Sequence, residues 1–382
     1  SPGQGEITPE MLAEWWNTLD DPILTDLIHR GLTGSLDLRE AEASVREARG
    51  LLGIGESRLF PFLDAQSLYE KSESSENLAV DAGELDFYQA GFDANWELDI
   101  FGGTRKNIAA ARADLEAEQE NLKAAWVSLA GEIARSYIEL RTLQQRLRVA
   151  QSNLEAQAET LEILESSYEV GLSDELAVQQ ARYNLERTRS TIPTIQSGLE
   201  AAKNALAVLV GETPGTLHGF LRDSKPIPVS SLKTVTGIPA NALRQRPDIR
   251  AAERRLAAQT ERIGVAESDL YPKFYLFGFI GLESLDSSSF FNTDSKTWNI
   301  GPSVSWPIFH AGSIRKNIRV QTARQEQSLA RYEKTVLTAV KEVRDALVAY
   351  AEEQKRREAL LAAVEAAQAA VEVSQDKYKN GL

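Results

Sequence analysis

The chain has 382 residues, 42% hydrophobic and 26% charged, with 42 Lys+Arg against 56 Asp+Glu and a net charge of −14. That balance excludes wholesale disorder and speaks against nucleic acid as a partner, because non-specific binding runs on phosphate neutralisation by basic side chains. The absence of Cys excludes disulfides, thiolate nucleophiles and Cys-ligated metals, and His29, His218 and His310 are too scattered in sequence to suggest a metal cluster.

The opening residues Ser1–Gly5 lack the basic region and apolar core of a secretory signal, so the sequence reads as mature or cytoplasmic. No apolar run reaches the length of a spanning helix, which leaves β-strands as the open route into a membrane. After a leading segment at 1–35, residues 36–57 have a helical period, with Ser35 or Asp37 placed to cap it. The period then changes to two. Tyr88, Ala90, Phe92, Ala94, Trp96, Leu98 and Ile100 alternate with Gln89, Gly91, Asp93, Asn95, Glu97 and Asp99. This predicts a strand at about 86–100 with one apolar and one polar face. Its hairpin partner is about 59–70, with Leu63, Ala65, Ser67 and Tyr69 facing outward and a polar, Ser-rich loop between.

Residues 105–169 contain no Pro and predict one helix of roughly 98 Å at 1.5 Å per residue. A seam through Leu122, Trp126, Leu129, Ile133, Tyr137, Leu140, Leu143, Leu147, Ala150, Leu154, Ala158, Leu161 and Leu164 steps by about 3.5 residues, a coiled-coil period. Gly171-Leu172-Ser173-Asp174 reads as a helix–turn–helix tip. A return helix follows at about 173–210, kinked or in two pieces at Pro193. Residues 211–247, with Gly211, Pro214, Gly215, Pro226, Pro228, Gly237 and Pro239, read as a linker. Beyond it lie strands at about 271–282 (outward Phe274, Leu276, Gly278, Ile280) and about 297–309, then a helix at about 315–379. In the last strand Trp298, Ile300, Pro302, Val304, Trp306 and Ile308 alternate with polar or small residues. Trp298 and Trp306 stand about 26 Å apart along a strand, which suits two aromatic girdles bounding an apolar band.

The two halves repeat one plan. Asp37-Leu38-Arg39-Glu40-Ala41-Glu42 resembles Asp248-Ile249-Arg250-Ala251-Ala252-Glu253, and Gly53-Ile54-Gly55-Glu56-Ser57 resembles Gly264-Val265-Ala266-Glu267-Ser268, both 211 positions on. Arg105-Lys106-Asn107-Ile108 recurs as Arg315-Lys316-Asn317-Ile318, and Tyr168-Glu169-Val170-Gly171-Leu172 as Tyr378-Lys379-Asn380-Gly381-Leu382, both 210 on. The expectation is a two-fold internal repeat of helix, β-hairpin and very long helix at 36–210 and 248–382. The second copy lacks a counterpart of the return helix, so a C-terminal segment of roughly 40 residues is expected to be missing.

Four strands cannot close a membrane barrel alone, and hydrocarbon forbids open edges, so the barrel must be shared between chains. The apolar row (Tyr88, Phe92, Trp96, Phe274, Leu276, Ile280, Trp298, Ile300, Val304, Trp306) is the candidate membrane face. The polar row (Asp93, Asn95, Glu97, Asp99) is the candidate lining of a lumen or barrel mouth. No phosphate-binding Gly loop, nucleophile elbow or metal-binding helix is present, so neither an enzyme nor a cofactor is expected.

At this point the sequence resembles the TolC-type outer-membrane efflux proteins, in the NodT-like lipoprotein branch paired with resistance–nodulation–division pumps. The resemblance is carried by Glu14-Trp15-Trp16 with Asp21-Pro22-Ile23-Leu24, by Trp96-Glu97-Leu98-Asp99-Ile100-Phe101-Gly102-Gly103, and by Ile238-Pro239-Ala240 leading to Arg246-Pro247-Asp248-Ile249. Leu270-Tyr271-Pro272 and Gly301-Pro302-Ser303-Val304-Ser305-Trp306-Pro307-Ile308-Phe309 complete it. It implies a mainly α fold with membrane β: a homotrimer whose 12-stranded β-barrel in the outer membrane continues into a periplasmic α-helical barrel. A mixed α/β equatorial region would lie near 1–30 and 211–247. It further implies a passive, multidrug-resistance type of exit duct for drugs and other small toxic compounds. The partners would be a periplasmic adaptor (membrane fusion) protein, an inner-membrane pump and outer-membrane lipid. Tyr168, Gly171, Leu172, Ser173, Asp174, Tyr378, Gly381 and Leu382 would form the tip that meets the adaptor. The branch's lipidated N-terminal Cys has no counterpart here, and its constricting acidic residues would fall after Leu382. Type I protein secretion, on the same architecture, and a coiled-coil scaffold are the competing readings.

Overall fold

The computed structural model describes residues 14–75, 77, 83–229 and 243–379. The chain divides into two compact units, one of Ser1–Glu47 and Glu118–Gly237, the other of Ala48–Ala117 and Ile238–Leu382. After a 3₁₀ turn at Trp15–Leu19 the elements are α1 (Pro22–Gly34), α2 (Leu36–Ser57), β1 (Phe62–Glu73), β2 (Glu84–Leu98), α3 (Gly103–Glu169) and α4 (Glu175–Leu209). Then come α5 (Pro247–Ser268), β3 (Lys273–Ser284), β4 (Lys296–Ser305) and α6 (Ser313–Lys379). Among the described residues the fold is mostly helical with one sheet. Among the described residues no helix is long and apolar enough to cross a membrane.

In the first unit α1 starts where Asp21 accepts the Ile23 and Leu24 amides at 2.9 and 3.2 Å, with Pro22 at the first helical position, where no N–H is needed. Its Leu24, Leu27 and Ile28 are fully buried with Leu129, Ile133, Tyr137 and Leu140 of α3 and Leu206 of α4. The α3 seam is buried from Leu129 to Leu140, but Trp126 is 45% exposed and departs from it. A polar network ties residues 221–225 to α3. Arg141 Nη1 donates to Gln144 Oε1 and the Asp223 carbonyl, both at 2.7 Å, and Gln144 Nε2 donates to the Leu221 carbonyl at 2.9 Å. Arg141 Nη2 donates to the Tyr137 hydroxyl at 2.8 Å, and that hydroxyl donates to Asp21 Oδ2 at 2.7 Å.

Of the two expectations at Pro193, a kink or two pieces, the second does not hold: α4 runs through it as one helix. The lost hydrogen bond and ring clash cost about 3 kcal/mol. The apolar residues on either side, Leu185 before and Ile195 and Leu199 after, are all buried, and their packing carries the helix across. The described parts of the expected equatorial segments, 14–35 and 211–229, contain helix and turns but no strand. Ile238-Pro239-Ala240 lie outside the described residues.

In the second unit the described strands form one antiparallel sheet in the order β1-β2-β3-β4. Pro302 sits within β4, at the edge, where a missing N–H costs least. β4 stops at Ser305, so Trp306 and Ile308 lie past it, with Pro307 between them. Helix α5 packs against α6 and is fixed by ion pairs. Arg246 grips Asp248 through two nitrogens at 3.1 and 2.8 Å and reaches Glu342 at 2.7 Å. The Arg246 guanidinium holds the Asp248 carboxyl below its usual range against the opposing effect of burial. Lys106 pairs with Glu261 at 2.8 Å, Arg254 with Glu116 at 3.4 Å, and Arg262 with Asp114.

Candidate functional site: a two-faced sheet and a helical tip

Directly opposed residues in an antiparallel pair point to the same face. The register therefore sorts every strand residue. Ala65↔Phe92↔Ile280↔Trp298 is one row, and Ala94↔Gly278↔Ile300, Trp96↔Leu276↔Pro302 and Leu98↔Phe274↔Val304 follow it. Tyr69↔Tyr88 lies on the same face, with the two rings 4.9 Å apart. Thus Tyr88, Phe92, Trp96, Phe274, Leu276, Ile280, Trp298, Ile300 and Val304 share one face. Ile280 is 64%, Trp298 73% and Ile300 68% exposed. A contiguous apolar face this open demands a cover.

Trp306, beyond β4, repeats an arrangement seen at Trp96. Trp96 Nε1 donates to the Leu59 carbonyl at 3.0 Å and Trp306 Nε1 to the Leu270 carbonyl at 3.2 Å. Each indole ties a strand exit to the chain entering the neighbouring strand, at the end of the sheet where the helices attach. Phe101 stacks on Tyr271 at 4.7 Å there. The other end carries Tyr69, Tyr88 and Trp298, with Phe290 6.2 Å from Tyr88. Phe101, Tyr271 and Phe290 were not among the sequence candidates, since no alternation covers them.

The opposite face carries Asp93, Asn95 and Glu97, as the alternation predicts, together with residues it does not reveal. Asp64 of β1 lies directly opposite Asp93, whose other neighbour is Phe279; Asn95 faces Phe277, and Glu97 faces Tyr275. A side chain added at Gly91 or Gly281 would come within 2.7 Å of the Phe279 ring, so both glycines are the space that ring occupies.

Asp99 does not belong to that row. It lies past β2, and its carboxylate accepts the Thr104 amide at 2.9 Å and the Arg105 amide and Nε at 3.0 Å. It caps α3 at the junction of strand and helix. Burial alone would raise its pKa, but these amides and the guanidinium hold it below the ordinary carboxylate range.

The tip belongs to the first unit. Gly171, at φ +75°, closes α3 with a Schellman pair: its amide donates to the Tyr168 carbonyl at 3.0 Å and the Leu172 amide to that of Ser167 at 2.8 Å. Asp174 opens α4 by accepting the Ala177 amide at 2.7 Å, and Arg182 pairs with Glu165 at 2.8 Å across the hairpin. Leu172 is 84% exposed; Val170 and Leu176, which sequence reasoning did not single out, are 69% and 64% exposed. Tyr378 lies at the end of α6; its side chain, Gly381 and Leu382 fall outside the described residues. Among the described residues no cluster of His, Cys, Asp and Glu could hold a metal.

The family model described as outer membrane efflux protein matches residues 27–212 and again 238–382. The chain belongs to that family. It is 32% identical over 365 residues to the solvent efflux pump outer membrane protein SrpC of Pseudomonas putida, covering 95% of this chain and 77% of SrpC. It is 33% identical over 338 residues to the cation efflux system protein CusC of Escherichia coli O6:H1 (strain CFT073), covering 88% and 72%. The solved outer-membrane channel OprN superposes with a TM-score of 0.89 at 35% identity, over 96% of this chain and 82% of OprN. The protein is thus an outer-membrane efflux component with the TolC-like channel fold, reaching into the periplasm. Its relatives are channels, not enzymes.

Proposed function

We propose that the chain is one third of a passive exit duct: three copies join their sheets into a 12-stranded barrel, and substrate handed over by a pump and adaptor leaves through it. The carrying observation is the sheet itself. It has one apolar and one polar face, β1 and β4 each have an edge with no partner among the described residues, and every strand meets its helix at the same end. Hydrocarbon tolerates the apolar face but not the open edges. Because β1 and β4 run in opposite directions, β4 of one copy can pair with β1 of the next, and the ring closes when the copies are symmetric. The apolar row then faces lipid and the Asp93, Asn95 and Glu97 face lines the conduit. The repeat of 36–210 in 248–382 supplies two hairpins per copy, and the family model's two matches support that reading.

The exposed apolar tip around Val170, Leu172 and Leu176 is the docking surface for the adaptor's helices. Solvents for one relative and cations for another indicate small toxic compounds as cargo. The chain lacks native Cys, so a clean test exists. Single cysteines on the two edges, Gln66→Cys in β1 with Asn299→Cys in β4, joined by a flexible bismaleimide in isolated outer membranes, should give a ladder that stops at three chains. A ladder that stops at two, or passes three, overturns the trimer. Leu172→Asp should abolish drug efflux while leaving that ladder intact; unchanged efflux would remove the tip from the docking surface.

A further inference from the structure

On the apolar face lies a groove of about 690 Å³, lined chiefly by Ala65, Ala90, Phe92, Ile280, Leu282 and Trp298, with Lys296 beside it. Two consecutive rows build it: Ser67↔Ala90↔Leu282↔Lys296 and Ala65↔Phe92↔Ile280↔Trp298. The small residues make a floor between the large ones. Behind that floor the Phe279 ring fills the space at Gly91 and Gly281, so the groove cannot deepen through the sheet. It crosses all four strands, from Ala65 on the edge strand β1 to Lys296 and Trp298 on the edge strand β4.

The groove lies toward the loop-bearing end of the strands, the end away from the helices. The helices mark the periplasmic side, so this end faces the outer leaflet. Two lysines, Lys71 and Lys296, and three acids, Glu73, Glu84 and Asp86, stand on this face at that end, and Asp86 accepts the Tyr69 hydroxyl. Lys71 is paired with Glu84, whereas Lys296 is exposed and has no ion pair among the described residues. An apolar trough with a free ammonium at its outer end matches an acyl chain whose headgroup carries phosphate.

We propose that this groove holds a specific lipid, the multiply acylated and phosphorylated glycolipid of the outer leaflet, with one acyl chain along Ala90 and a phosphate on Lys296. The assignment rests on the reading that this face meets lipid.

The test uses purified full-length trimer in a mild detergent, incubated with hexa-acylated bis-phosphorylated lipid A or with phosphatidylglycerol, and scored for retained lipid by native mass spectrometry. Lipid A should be retained in preference to phosphatidylglycerol. Ala90→Leu, which fills the floor, and Lys296→Glu should each cut retention at least tenfold. Equal retention of both lipids, or retention indifferent to both substitutions, overturns the specific site. Quenching of Trp298 by brominated phospholipid in proteoliposomes, against a Trp298→Phe reference, tests the underlying reading separately. Quenching without lipid A retention removes only the bound lipid; no quenching removes the lipid-facing assignment itself.

Discussion

Asp99 shows how a carboxylate that fits an alternation can have a local role that the pattern does not reveal. It continues the Asp93, Asn95, Glu97 alternation, yet the strand ends at Leu98 and its oxygens take the first amides of α3. Asp99→Ala should lower stability by about 1 kcal/mol, the usual cost of a lost helix cap. The effect carries a pH signature. The folded pKa is depressed, so the contribution is complete above the unfolded value of about 3.9 and disappears as pH falls through the folded one. Thermal melts of wild type and variant in detergent should differ at pH 7, and the gap should narrow as pH falls below the unfolded value; a constant gap would mean that the carboxylate is not the cap. Tyr137 gives a contrasting case. Burial, reinforced by Asp21, pushes its phenol well above the ordinary range, so it stays protonated and keeps donating to Asp21 at any working pH. Tyr137→Phe removes that donor and leaves the fully buried Arg141 short of an acceptor. It should cost roughly 1–3 kcal/mol with no pH dependence between 5 and 9, read by the same melts.

Glycines at helix ends take their meaning from what lies around them. Gly171 and Gly211 close α3 and α4 with the same turn, at φ +75° and +76°. A Cβ on Gly171 would meet nothing within 4 Å, whereas one on Gly211 would stand 2.0 Å from the Gly34 carbonyl oxygen at the end of α1. Gly171→Ala therefore carries only the left-handed backbone penalty, about 1–2 kcal/mol. Gly211→Ala adds a backbone collision that no side-chain movement can relieve. The expected outcome is near-normal yield of the protein in outer membranes for the first variant and at least a several-fold loss for the second. Equal yields would show that the Gly34–Gly211 crossing is dispensable. This contrast marks the limit of what was legible in the sequence. Both glycines are visible there as helix stops, because left-handed backbone is a local requirement. Their unequal importance is not, because it depends on two segments 177 positions apart in the chain. The same limit explains the strands. Alternation revealed which residues share a face, but Asp64 and Phe279 became neighbours of Asp93 only through register, which hydrogen bonding across the sheet fixes.

At the scale of the assembled duct, the sheet's polar face has a sign. Register places Asp64, Glu70, Asp93, Glu97 and Glu283 on it, against Lys273, whose ammonium is held by Asp269 at 3.0 Å. Three-fold repetition would turn each acid into a ring, and rings of carboxylates favour cations in a pore. Asp64 directly opposite Asp93 is also a like-charge cross-strand pair, which costs about 0.2–1 kcal/mol relative to a neutral pair. Stability and selectivity should therefore move in opposite directions when these charges are removed. Asp64→Asn with Asp93→Asn should raise the melting temperature slightly. It should also shift the reversal potential of channels in planar bilayers under a KCl gradient toward the non-selective value. Lys71→Gln, on the apolar face, should leave that potential unchanged. Stabilisation without a shift in potential would mean that the acids face each other but not the ions, and the polar face would lose its place as the lining of the conduit.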